Sequence, residues 1–159
     1  MGISSFGSRF PELAKRETRS IRVIQKSNLP VGHYGFVEAY CDEVDCDCRR
    51  AVIQVVTEGT GAKVWATINY GWEDAAYYAQ WMGDAGVVPD FEGASLDPLN
   101  SQSKYAEVLL EYFENVVADD AYIERLKRHY AMFKSSLTSD PLPEVTHWKP
   151  PRTQRRRLR

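Results

Sequence analysis

All three cysteines of the chain fall within eight residues, Cys41, Cys46 and Cys48, spaced C-x4-C-x-C. Thiolates are preferred ligands of zinc, and three of them between two β-like segments predict a metal-clasped turn. A structural zinc ion takes four ligands, so one is missing from the cluster. His33 lies eight residues before Cys41, roughly 26 Å of straight strand at about 3.3 Å per residue, and is set aside. His129 and His147 remain. His129 is preferred, because a helix packed on a sheet holds a side chain over a hairpin end more firmly than a tail does. A carboxylate of Asp42, Asp45 or Asp47, or a water molecule, is the other way to complete the shell. Two further readings stand beside zinc: thiols that bind nothing, and a redox pair at Cys46 and Cys48. The flanking Asp42, Glu43, Asp45 and Asp47 do not look like apolar packing, and Arg49 and Arg50 offset part of their charge.

The elements that must hold these thiols are legible as periodicities. Residues 34–40 alternate in the β sense, with Tyr34, Phe36, Glu38 and Tyr40 on one face. Glu38 reads there as the solvent-facing member of a half-exposed edge. Residues 51–57 are rich in β-branched side chains, and residues 64–70 place Val64, Ala66, Ile68 and Tyr70 together. The cysteines fill the first connection, and the glycines of 58–62 suit a tight second turn. Residues 21–24 form a further edge strand. After Gly71 the period changes. Residues 72–82 carry Trp72, Ala75, Ala76 and Met82 at helical spacing, ended by Gly83 and Gly86, and residues 84–100 read as a loop because of Pro89, Gly93 and Pro98. Behind a cap at Ser101 or Ser103, the residues Tyr105, Val108, Leu109, Tyr112, Phe113 and Val116 form the strongest helical stripe. Asp119 and Asp120 begin a last helix with Tyr122, Leu126, Tyr130, Phe133 and Leu137 on one side.

The fold class that follows is α+β: a small antiparallel meander of three to four strands, packed against about three helices, with a zinc-clasped hairpin. Residues 1–20 are read as a peripheral basic arm, 21–138 as a single domain, and 139–159 as an extended tail rich in proline and arginine. The 159 residues, 43% apolar and 12% aromatic, suffice for one core. No apolar run reaches the roughly 20 residues of a membrane span. Charge at the N-terminus argues against a signal peptide, and free thiols fit a reducing cytoplasm.

Net charge is distributed unevenly. Six basic and two acidic groups give +4 over residues 1–30, eight and nineteen give −11 over 31–140, and six and one give +5 over 141–159. An acidic body repels polyanions, so nucleic acid or a nucleoprotein would be met through the ends, chiefly Arg152, Arg155, Arg156, Arg157 and Arg159. Arg125, Lys127 and Arg128 form a second basic patch, or else pair with Glu111, Glu114 and Glu124 on a solvated face. The aromatic group of Trp72, Tyr77, Tyr78, Trp81 and Met82 reads as core before it reads as a stacking platform. The sequence has no H-E-x-x-H, no G-x-S-x-G, no phosphate-binding glycine loop and no zinc-deaminase pattern. A zinc-stabilised binding or adaptor protein is therefore the first expectation. A hydrolase with water on an open zinc site is the second, with Asp45 or Glu43 as base. A protein-interaction module using residues 72–100 is the third.

Overall fold

The computed structural model describes residues 2–58, 63–83 and 91–138. The turn at 59–62, His147 and the five tail arginines lie outside the described residues. The sheet is wider than expected. Its six antiparallel strands are β1 (Ile3–Ser5), β2 (Arg19–Val23), β3 (Gly32–Cys41), β4 (Arg50–Thr57), β5 (Val64–Gly71) and β6 (Gly93–Leu96), in the spatial order β1-β3-β4-β5-β6. The meander β3-β4-β5 matches the alternation in the sequence. β2 pairs with the start of β3 and β1 with its end, so both lie along the β3 edge away from β4.

Among the described residues the sheet is accompanied by five α-helices: α1 (Phe6–Arg9), α2 (Pro11–Glu17), α3 (Ala75–Met82), α4 (Ala106–Tyr112) and α5 (Asp120–Ser136). Strand register aligns Phe36 with Val55 and Ala66, and Glu38 with Ile53 and Ile68. Residues aligned in this way share a face. Apart from Glu38, the aligned residues cluster with Phe6 of α1, Leu109 of α4, and Leu126 and Phe133 of α5. Among the described residues no helix is long and apolar enough to cross a membrane.

Two segments depart from their sequence patterns. The loop expected over 84–100 contains β6, which pairs Gly93 with Gly71 and Leu96 with Ile68. Its Gly-Ala-Ser-Leu sequence has little β propensity, and backbone pairing to β5 makes the strand. Gln102 extends the pairing: its side-chain amide accepts from Thr67 N–H at 2.9 Å and donates to Thr67 O at 2.9 Å. The second departure follows α4, where Phe113–Val117 winds as a π-helical turn closed by Ala118 N–H to Phe113 O at 2.8 Å. The wider turn admits one extra residue. Val117 is consequently buried and Val116 is 56% exposed, although a regular helix would bury Val116.

α3 begins three residues later than Trp72. Asp74 is its cap and accepts from Tyr77 N–H at 2.8 Å, while Gly83 ends it at φ +72°. Asp74→Ala is expected to lower stability by about 1 kcal/mol, read as a shifted denaturation midpoint; an unchanged midpoint would show that the cap is idle.

The N-terminal arm is built into the body rather than peripheral. Phe6 is 2% exposed, and its ring stacks on His129 with centroids 4.1 Å apart. Arg9 donates to Ser136 O at 2.8 Å. Phe6 therefore fastens the segment to the core, with Phe10, Leu13 and Ala14 packed beside it.

Candidate metal centre

Cys41 ends β3, and Cys48 lies two residues before β4. Their hairpin brings the three sulfurs within 4.8 Å of one another. Sulfurs bound to one zinc ion at about 2.3 Å stand about 3.8 Å apart, so a contraction of at most about 1 Å would seat an ion. Cys41 and Cys48 are 3% and 7% exposed, and Cys46 is half-buried. No disulfide joins any of them.

The connection is held from three sides. From β1, Ser4 donates to Asp42 Oδ2 at 2.8 Å, and Asp42 N–H donates to Gly2 O at 3.1 Å. From α3, Tyr77 Oη donates to Asp47 O and Tyr78 Oη donates to Arg49 O at 2.8 Å. From α5, Tyr130 Oη accepts from Arg49 N–H at 3.2 Å and donates to Asp47 Oδ1 at 3.0 Å, and Lys134 reaches Glu43 O at 2.6 Å. This grip sustains Arg49 at φ +47°, a left-handed conformation that a non-glycine residue rarely adopts. Gly71 is needed nearby, because a Cβ there would run into Phe91 O and the Tyr78 hydroxyl. The aromatic cluster is thus a clamp on the cysteine loop. Tyr78 is fully buried, whereas Tyr77, Trp72 and Trp81 are half-buried.

Burial and mutual proximity favour the protonated form of the Cys46 and Cys48 thiols. Burial, and then the nearness of Cys48 and Cys41, push the Cys46 thiol up to about 12. Burial and Cys41 also raise Cys48, against smaller opposing effects of the Arg50 backbone N–H and Lys134. Burial alone would raise Asp47, but hydrogen bonds from Arg49 and Tyr130 hold its carboxyl below the usual range. Of the carboxylates considered as a fourth ligand, Asp42 is tied to Ser4 and Asp47 to Arg49 and Tyr130. Asp45 is exposed. Among the described residues no carboxylate or imidazole joins the three sulfurs.

The structure places His129, the expected fourth ligand, in a different polar cluster. Its Nδ1 lies 2.7 Å from Glu38 Oε2 and its Nε2 lies 2.7 Å from Glu17 Oε2. A ring donating from both nitrogens satisfies both carboxylates. Glu38, read from the alternation as solvent-facing, is 4% exposed and also accepts from Tyr40 Oη at 2.7 Å. Its neighbours on the strand face are covered by helices, so a carboxylate there must find its partners inside the protein. Arg125 and Arg128 likewise turn to Glu17, at 3.6 and 2.6 Å, rather than to Glu111 or Glu114. Lys127 pairs with Glu124 at 3.0 Å. The basic patch of α5 is therefore largely taken up within the chain.

Burial would raise Glu17, but the hydrogen bond and charge of His129, with Arg128 and Arg125, carry its carboxyl below the ordinary value. A carboxylate lowered by folding stabilises the fold above its unfolded value, and this contribution is lost as pH falls through the folded value. On acidification from about pH 7 to about pH 3, residues 6–17 are expected to gain hydrogen exchange before β3 to β5 do. Simultaneous loss of protection everywhere would show that Glu17 does not govern the arm.

The chain matches no protein-family model, no curated protein and no solved structure. Three convergent sulfurs in a braced loop are compatible with metal binding, and they carry the functional reading.

Proposed function

We propose that the chain binds one zinc ion through Cys41, Cys46 and Cys48 and serves as a small non-catalytic binding or adaptor protein. The observation that carries this reading is the convergence of three sulfurs in a loop braced by Tyr77, Tyr78 and Tyr130. Three soft donors suit a thiophilic ion. Metal analysis of protein purified without chelator tests it, with about one zinc per chain expected. Protein free of metal and unable to take up added zinc would remove the reading.

The proposed partner is nucleic acid or a nucleoprotein, met in the cytoplasm through Arg152, Arg155, Arg156, Arg157 and Arg159. Supporting this choice, Arg125 and Arg128 are committed to Glu17, which leaves the tail as the main concentration of positive charge. A gel shift of RNA or DNA by the full chain, unchanged on deleting residues 150–159, would exclude the tail.

The half-exposure of Cys46 keeps one other reading in view, a hydrolase with water on the ion. X-ray absorption showing four protein ligands would exclude it.

Zinc binding should displace protons from the thiols. Because the Cys46 and Cys48 thiols are raised, apparent affinity is expected to increase with pH by up to about tenfold per unit for each proton released. Titration in weakly buffered solution reads that release directly; an affinity independent of pH would mean that the thiols are not the ligands.

A further inference from the structure

The three sulfurs are anchored unequally. Cys41 is 3% exposed and sits in β3 opposite Ile3 of β1. Cys48 is 7% exposed, and its neighbours Asp47 and Arg49 are gripped by Tyr77, Tyr78 and Tyr130. Cys46 is half-exposed and lies in the turn, where its N–H donates to Glu43 O at a long 3.3 Å. Cys46 is thus the sulfur that solvent reaches, with two buried sulfurs within 4.8 Å.

We propose that Cys46 is a modification site through which a peroxide expels the bound ion, by linking Cys46 to Cys41 and leaving Cys48 as the sole thiolate. This rests on the zinc reading. A metal-bound cysteine is a thiolate, and the thiolate is the form that attacks peroxide. Cys46 Sγ attacks one peroxide oxygen, the O–O bond breaks, and hydroxide leaves with the electron pair. The resulting sulfenic acid is then attacked by Cys41 Sγ. The S–S bond forms, the S–O bond breaks, and a second hydroxide leaves. Two thiolates and one hydrogen peroxide give one disulfide and two hydroxide ions, which the buffer protonates to water, so the sulfurs lose two electrons and the peroxide gains them.

Geometry favours Cys41 as the resolving sulfur. Cys46 and Cys48 are separated by one residue, which restricts the Cβ directions that a disulfide requires. Cys41 and Cys46 instead are separated by four residues of the turn, with their sulfurs within 4.8 Å. The bridge would close a six-residue loop.

The full chain loaded with zinc is treated with hydrogen peroxide beside a zinc-binding dye. Release of about one zinc per chain is expected, with a Cys41–Cys46 peptide found by mass spectrometry and zinc uptake restored by a dithiol. Cys41→Ser removes a ligand along with the resolving sulfur, so its readout is the oxidation state of Cys46, which should remain a sulfenic acid or a higher oxide with no disulfide formed. If that variant does not fold, the linkage found in the unsubstituted chain decides alone. Retention of zinc under excess peroxide, or release with any other sulfur pairing, overturns the proposal while leaving zinc binding intact. A chain that holds no zinc before peroxide is added overturns the zinc reading and this proposal with it.

Discussion

Cys48→Ser is expected to weaken zinc binding by about two to four orders of magnitude. Structural zinc sites bind with roughly 10–16 kcal/mol, and an even division over three sulfurs assigns about 3–5 kcal/mol to each. Serine is close to cysteine in shape but is a poor ligand, so the loss belongs to the metal bond rather than to packing. The loop should keep its path, because its bonds run from Tyr77 to Asp47 O, from Tyr78 to Arg49 O, and between Tyr130 and Arg49 N–H. None of them uses a sulfur. Competition against a chelating dye measures the affinity, and circular dichroism checks the fold. An affinity unchanged in both Cys48→Ser and Cys46→Ser would end the assignment of the centre. Collapse of the fold on chelation would show that the tyrosines do not hold the loop by themselves.

His129→Ala should cost about 3–5 kcal/mol, the usual consequence of leaving a buried charge without its partner. Glu38 would lose the 2.7 Å bond from Nδ1 and keep only Tyr40 Oη, at a side chain 3% exposed. Phe6 would lose its stacking surface as well. Against a typical total of about 5–15 kcal/mol this is a large fraction, equivalent to a fall of about 6–20 °C in the melting temperature. The double variant His129→Leu with Glu38→Leu should recover much of the loss, because the stranded charge goes with its partner. A single variant that melts within about 2 °C of the parent would mean that the ion pairs contribute nothing net.

The elements that announce themselves in the sequence are those whose periodicity faces one large surface. β3, β4 and β5 alternate against the core, and the α5 stripe of Tyr122, Leu126, Tyr130 and Phe133 is buried as its spacing requires. Convergence of the cysteines follows from the same hairpin. What stays hidden depends on partners far away in the chain. β1 and β6 are short and weak in propensity, and they exist because β3 and β5 offer free backbone edges. The π-helical turn shifts burial from Val116 to Val117 with no local signal. The environment of Glu38 is set by His129, 91 residues later, and that of His129 by Glu17, 112 residues earlier. The alternation did place Glu38 among aromatic residues. A carboxylate in such company is the one hint in the sequence that a buried partner had to exist.

β1 and β2 lie end to end along one side of β3, so each covers a different stretch of the same edge. A chain shortened to begin at about residue 18 would retain β2 but bare the N–H and C=O groups of residues 39–41, beside one of the clustered thiols. Bare strand edges recruit strands from other molecules, and oxidation there would weld such a pairing covalently. Removing β1 is therefore expected to promote pairing between chains at the stretch of β3 that ends in Cys41, where a disulfide would make it lasting.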